Sequence, residues 1–233
     1  MPYIPPTFIA SYSSSYSTTT TPRTISVTSQ PGDLLVVIAA AENGAQVFTG
    51  VSGNGLTWTE NESDQKNAVW CDIRIYSATD TTGGTNWNLS VSRSASGYAF
   101  GATCFVFRNS DGVGQSNSAA EDGYPTLDVT TTQQNSAIVV VNADWNATSG
   151  ASRVWRTVNG ITPTAGNGLE RLYHYGSGVY TVYGAYYEDA GAPGTKTIGL
   201  STPNQKYSIG ALEIRGTNAP DPPAGIPVMW MSA

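Results

Sequence analysis

The 233-residue sequence contains one histidine, two cysteines and eleven lysines and arginines. Hydrolytic and metal chemistry rely on clustered ligands or on a base beside a nucleophile, and a single histidine leaves little to build either from. That residue, His174, lies in Arg171-Leu172-Tyr173-His174-Tyr175, where strand alternation points it at solvent. The basic residues are scattered singly against seventeen acidic ones, giving a formal charge of −6 and a pI near 4.6. A phosphate backbone finds no basic stripe here, so nucleic acid is not expected as a partner. The longest apolar run, Leu34 to Ala41, is far too short to span a bilayer as a helix. Met1-Pro2-Tyr3-Ile4-Pro5-Pro6 lacks the basic and then apolar order of a signal peptide, and neither a signal peptide nor a membrane span is expected. No Asp-x-Asp-x-Asp-Gly loop, phosphate-binding glycine loop or Gly-x-Ser-x-Gly elbow occurs, and no cofactor is expected. Cys71 and Cys104 sit in alternating apolar patterns. A disulfide across a sandwich fits their spacing, whereas a chain made in the cytosol keeps its thiols reduced, which favours buried free thiols.

What is abundant is turn and strand material. Twenty-five glycines with many Ser, Thr, Tyr and Val, and only 12% charged residues, describe a turn-rich all-β chain with almost no helix. The stretch Gln30-Pro31-Gly32-Asp33 forces a turn, and the apolar residues after it, Leu34 to Ala40, read as a strand buried on both faces. A second copy follows about a hundred residues later, where Gln133-Gln134-Asn135-Ser136 leads into Ala137-Ile138-Val139-Val140-Val141. The correspondence extends to Thr79-Asp80 with Glu188-Asp189 and to Tyr98-Ala99-Phe100-Gly101-Ala102 with Tyr207-Ser208-Ile209-Gly210-Ala211.

The expected architecture is therefore a duplicated antiparallel β-sandwich, jelly-roll or Ig-like, of two tandem seven-strand units. Residues 1–23 form a Ser/Thr/Pro-rich arm, either an edge strand or extended arm or a loose tail. The first unit spans 24–108, with strands near 24–28, 34–40, 46–51, 56–60, 69–78, 86–92 and 98–107. Residues 109–125, polar and Gly-rich, are expected to be a connecting loop. The second unit spans 126–216, with strands near 126–131, 136–143, 153–158, 169–175, 179–188, 196–201 and 206–215. It is expected to pack with the first as one body, with two separate sandwiches the alternative. Residues 217–233 form a Pro-rich spacer and an apolar peptide.

The Pro-Gly-Asp-Leu-Leu-Val-Val strand, the segment Gly55-Leu56-Thr57-Trp58-Thr59, a tyrosine-bearing strand and a closing Gly-Ala strand ending in Arg together resemble a β-sandwich of minor tail and other virion-surface proteins of actinobacterial phages. The resemblance covers about residues 24–216 and implies a non-enzymatic structural or adhesive role in a virion. It brings other virion proteins as partners and a homo-oligomer, by resemblance a trimer, made in the host cytoplasm. A capsid decoration protein and a carbohydrate-binding module for host wall glycans are the alternatives. The few lysines, Lys66, Lys196 and Lys206, leave sandwich edges little blunted, which also favours self-association.

Candidate sites are few. Glu188-Asp189, Glu121-Asp122 and Asp72 are the carboxylates a glycosidase could draw on, but a carboxylate before a turn ordinarily accepts backbone N–H bonds. Tyr173, Tyr175, Tyr180, Tyr183, Tyr186 and Tyr187 crowd one hairpin, and alternation sends Tyr186 and Tyr187 to opposite faces. Core packing, a subunit interface and glycan contact all suit these rings, with Tyr173, Tyr175 and Tyr183 the candidate contacts. Trp58, Trp70 and Trp87 are expected in core or edge packing. At the C-terminus, Met229, Trp230 and Met231 suit a pocket, either on a partner or on the chain's own sandwich.

Overall fold

The computed structural model describes residues 3–16, 21–42, 47–66, 70–94, 97–176 and 179–218. Among them the chain forms strands only, and no helix there is long and apolar enough to cross a membrane. A short β1 (Tyr3–Ile4) precedes two sets of eight. The first set is β2 (Thr7–Ser13), β3 (Arg23–Ser29), β4 (Leu34–Ala41), β5 (Phe48–Ser52), β6 (Thr59–Lys66), β7 (Trp70–Thr79), β8 (Gly84–Arg93) and β9 (Phe100–Arg108). The second is β10 (Ser110–Gly123), β11 (Thr126–Thr131), β12 (Ala137–Asp144), β13 (Val154–Trp155), β14 (Glu170–Gly176), β15 (Tyr180–Tyr187), β16 (Gly194–Thr202) and β17 (Gln205–Asn218).

The first set makes a five-stranded sheet in the order β2-β9-β4-β7-β6 and a three-stranded sheet β3-β8-β5. The second repeats that order strand for strand, as β10-β17-β12-β15-β14 and β11-β16-β13, with β1 added to the far end of β17 through Tyr3↔Asn218 and Ile4↔Thr217. All pairings are antiparallel. Eight strands in two sheets with this crossing order form a jelly roll in which the fifth strand borders the larger sheet.

Each unit thus has eight strands where the sequence suggests seven. In the first, the extra strand comes from the arm, as β2. In the second it is β10, which occupies the segment expected to be a connecting loop, 109–125. No linker separates the units: β9 ends at Arg108, β10 starts at Ser110, and Asn109 turns the corner in the left-handed region at φ 57°. The residues of β10 are mostly small and polar and half exposed, so they carry no apolar alternation. Its place is set by backbone pairing along β17, from Ser110↔Gly216 to Gly123↔Gln205.

Four layers enclose three cores. One outer core joins the first unit's two sheets through Ile25, Val27, Leu35, Val37, Leu89 and Val106, and another does the same in the second unit through Leu127, Val129, Ile138, Val140, Ile198 and Ile209. The central core lies between the two larger sheets, where Val36, Ile38, Ile73, Ile75 and Phe105 meet Val139, Val141, Val182, Tyr186 and Leu212. Alternate residues of β4 and β12 feed different cores, which is why both strands are apolar and buried along their whole length. The two larger sheets approach closely enough that a Cβ on Gly184 would stand 2.5 Å from Ile38 Cδ1, and one on Gly210 2.8 Å from Ile73 Cδ1. The packing is also reciprocal. β4 faces β12, the fifth strand of the first unit (β6) lies on the first strand of the second (β10), and Tyr16, just past β2, stacks on His174 of β14. Two copies of one unit meet here as subunits do across a two-fold axis.

Candidate functional site

The carboxylates with catalytic potential in the sequence are spread over β7, β10 and the turn after β15. Asp189 Oδ1 accepts the Gly191 N–H at 2.7 Å, the turn role expected of it. Asp72 is fully buried, with Arg74 Nη1 3.2 Å from its Oδ1. Other buried carboxylates also hold turns. Asp80 accepts from Ser29 Oγ (2.5 Å), the Thr82 and Gly83 N–H groups (2.9 and 2.8 Å) and Asn54 Nδ2 (3.3 Å). Burial pushes its pKa up, but these hydrogen bonds outweigh it and hold the carboxyl below its ordinary value. His174 is half-buried, not solvent-facing, because Tyr16 covers it with ring centroids 4.7 Å apart, and burial lowers its pKa.

The tyrosine hairpin is mostly core. Tyr180, Tyr183, Tyr186 and Tyr187 are buried, on two faces that both have a neighbouring sheet. Tyr183, a candidate surface contact from the sequence, is 0% exposed, and its hydroxyl accepts from Gln205 Nε2 at 2.6 Å. It is removed from the candidate contacts, since it points into the second unit's own sandwich core among Ile198 and Leu200 of the smaller sheet. Tyr173 is half-buried, stacked on Tyr183 at 5.7 Å, and Tyr175 is 41% exposed. Trp58 and Trp87 pack partly buried against the first unit's outer core. Cys71 and Cys104 are free and buried; Cys71 faces the central core and Cys104 the outer core of the first unit. Met229, Trp230 and Met231 lie outside the described residues.

The structure brings together a group that the sequence reading missed. Between β13 and β14 lies a pocket of about 260 Å³ lined by Ala151, Arg153, Val154, Trp155, Thr162, Pro163, Thr164, Ala165 and Glu170. Glu170 Oε2 accepts from Arg153 Nε at 2.6 Å and from Trp155 Nε1 at 2.7 Å, while Arg153 Nη2 donates to Oε1. Arg153 Nη1 donates to the Gly150 carbonyl at 2.8 Å, and its guanidinium lies 3.9 Å over the Tyr173 ring. The bond to Glu170 raises the Arg153 pKa further. Tyr173 thus acts as a shelf under Arg153, with its hydroxyl accepting the Gly150 N–H at 3.2 Å.

No family model, curated protein or solved structure matches the chain.

The pocket's outer wall is the β13–β14 connection, residues 156–169, whose counterpart between β5 and β6 is only 53–58. It is tied to itself. Asn159 and Gly160, both at positive φ (48° and 76°), make a two-residue hairpin closed by Val158↔Ile161. Asn167 Oδ1 accepts the Thr164 and Leu169 N–H groups at 2.9 and 3.1 Å, and its Nδ2 donates to the Thr162 carbonyl at 2.9 Å. The unequal connection length and the Asn-Gly pair were the sequence signals available for this site. Chemically it is a charge-balanced recess, with its carboxylate held by three N–H donors.

Proposed function

We propose that the chain is a non-enzymatic structural protein of a phage virion, most specifically a minor tail or tail-tip component. The observation that carries this reading is the four-layer block itself: two jelly rolls without a linker share a central core, and their buried carboxylates Asp80 and Glu213 hold turns. Such a block is a rigid building element, and the phage-like strand motifs of the sequence support its use in a particle. Other virion proteins are its partners. A homo-oligomer, a trimer by the same resemblance, is part of the proposal, with the border strand β14 and its exposed Tyr175 as a contact surface. Mass spectrometry of purified tail-only and head-only particles tests the placement. Presence in tails supports it; presence in heads alone replaces it with capsid decoration, and absence from both overturns it. Light scattering on dilution tests the oligomer, and a monomer at all concentrations removes that part.

A further inference from the structure

We propose that the recess between β13 and β14 binds an uncharged sugar ring, the terminal or side residue of a polysaccharide. The inference goes beyond the virion reading and does not rest on it. Charge comes first. Arg153 and Glu170 neutralise each other inside the pocket, so neither an anion nor a cation gains from entering, and the chain's net −6 disfavours anions further. The hydrogen-bonding capacity left over is that of a polyol's complement. Of a guanidinium's five N–H groups, Arg153 uses three, on Glu170 and the Gly150 carbonyl, which leaves two. Glu170 accepts three bonds where a carboxylate has room for about four. Thr164 Oγ1 accepts the Asn167 N–H at 3.1 Å and keeps its own O–H to donate. A hydroxyl pair that accepts from the guanidinium and donates to the carboxylate satisfies both.

Apart from Thr162, whose hydroxyl pairs with that of Thr157 at 2.5 Å, the rest of the lining is Ala151, Val154, Trp155, Pro163 and Ala165, which suits the C–H face of a ring. A wholly apolar ligand would strand the two N–H groups, and burying unpaired donors is costly. At about 260 Å³ the recess lies just below the usual range for ligand sites, roughly 300–1,000 Å³, and so admits one ring with the remaining chain outside. Nothing in the jelly-roll order requires it. The first unit completes the same topology with a six-residue connection, 53–58, and the second spends a longer, internally braced one on this wall.

The test uses the full chain and ligand-observed NMR with a panel of methyl glycosides of neutral sugars, together with glucuronate and glucosamine as charged controls, at millimolar concentration. Binding of at least one neutral glycoside is expected, weakened about tenfold or more in Arg153→Met, as loss of a bidentate contact implies. Because Arg153→Met also breaks an internal ion pair, Ala165→Trp serves as the second variant: Ala165 is exposed, so the indole blocks the mouth without touching a core, and binding is expected to vanish with the thermal midpoint unchanged. No signal from any neutral glycoside, preference for a charged sugar, or binding that survives both variants overturns the proposal.

Discussion

In the first unit the turn into the central strand β4 is held from within: Asp33 accepts the Gln30 N–H at 2.8 Å and a two-pronged contact from Arg108 at 2.8 and 3.0 Å. In the second unit the matching turn, Gln133 to Ser136, has no aspartate, and the carboxylate arrives from another strand. Glu213 of β17 accepts the N–H groups of Thr132 (2.7 Å), Gln133 (3.2 Å) and Gln115 (3.1 Å) and the hydroxyls of Ser136 (2.7 Å) and Thr132 (2.9 Å). In both turns a buried carboxylate takes up backbone N–H groups that the strand ladder leaves over, at Gln30 in the first and at Thr132 and Gln133 in the second. The fold fixes that need, and the chain has met it from two unrelated positions. A duplicated architecture therefore survives while the residues that secure it diverge.

The contrast can be broken at its strongest point. Glu213→Ala removes a fully buried carboxylate on which five donors converge. The Ser136 hydroxyl can turn to the Gln133 carbonyl at 2.9 Å, but the other four lose this acceptor, and the expected cost is about 3–5 kcal/mol in urea unfolding. A loss below about 1 kcal/mol would mean that the second turn is self-supporting after all. Asp80→Ala in the first unit should cost less, about 2–3 kcal/mol, since the Asp33–Arg108 pair remains beside it. Asp33→Ala comes next, at about 1–2 kcal/mol, because Arg108 is partly exposed and the charge component of the pair is screened. Equal losses for Asp33→Ala and Glu213→Ala would erase the distinction between the two anchors.

Acid probes the same carboxylates. For Glu213, as for Asp80, burial pushes the pKa up but the hydrogen bonds outweigh it and hold the carboxyl below its ordinary value. A lowered folded-state pKa adds stability that is fully present above the ordinary carboxylate values of 4.5 and 3.8 and is lost as pH falls through the lowered ones. Thermal midpoints should fall on acidification through that range, and less steeply in Glu213→Gln, which no longer titrates there. An unchanged acid limb in that variant would remove Glu213 from the account. The smallest effect is expected at Asp189→Ala, about 0.5–1 kcal/mol, because Asp189 holds a single N–H where its counterpart Asp80 holds a network. If Asp189→Ala proved as costly as Asp80→Ala, the two turns would be equivalent.

The strand pattern was legible because a buried strand leaves a strong mark. The runs expected at 34–40 and 136–143 are β4 and β12 to within a residue at each end, and the Pro-Gly and Asn-Ser turns before them lie where they were placed. β10 was not legible. Ser, Gly, Asn and Ala on a half-exposed border strand give no alternation, and its pairing with β17 is made by backbone groups common to all residues. β6 was misplaced, from 56–60 to 59–66, because its polar residues Glu60, Asn61, Glu62 and Ser63 carry no apolar signal. The tyrosine excess pointed to a surface because a sandwich offers each large sheet one inner face. The second sandwich supplies another, and Tyr180 and Tyr186 disappear into it. The recess remained hidden for a different reason: Arg153, Trp155 and Glu170 look unremarkable in sequence and acquire meaning only when β13 and β14 set them within hydrogen-bond distance.

The pairing of β1 with the end of β17 has a mechanical consequence. Tyr3 lies opposite Asn218 and Ile4 opposite Thr217, so a pull applied at Tyr3 and Asn218 loads their bonds one rung at a time, as in opening a zipper, and not all together in shear. This short ladder is the yielding element. Beyond it the tension passes to Thr7, held in the first large sheet by β9, and to Arg215 and Gly216, held in the second by β10. The load then closes through the chain itself, because Thr7 is paired with Arg108, Gly216 with Ser110, and Asn109 joins those two partners covalently. Tethered at those two residues, the molecule would give a little at low force and then pull on the Arg108-Asn109-Ser110 corner, which spares the shared core from the load.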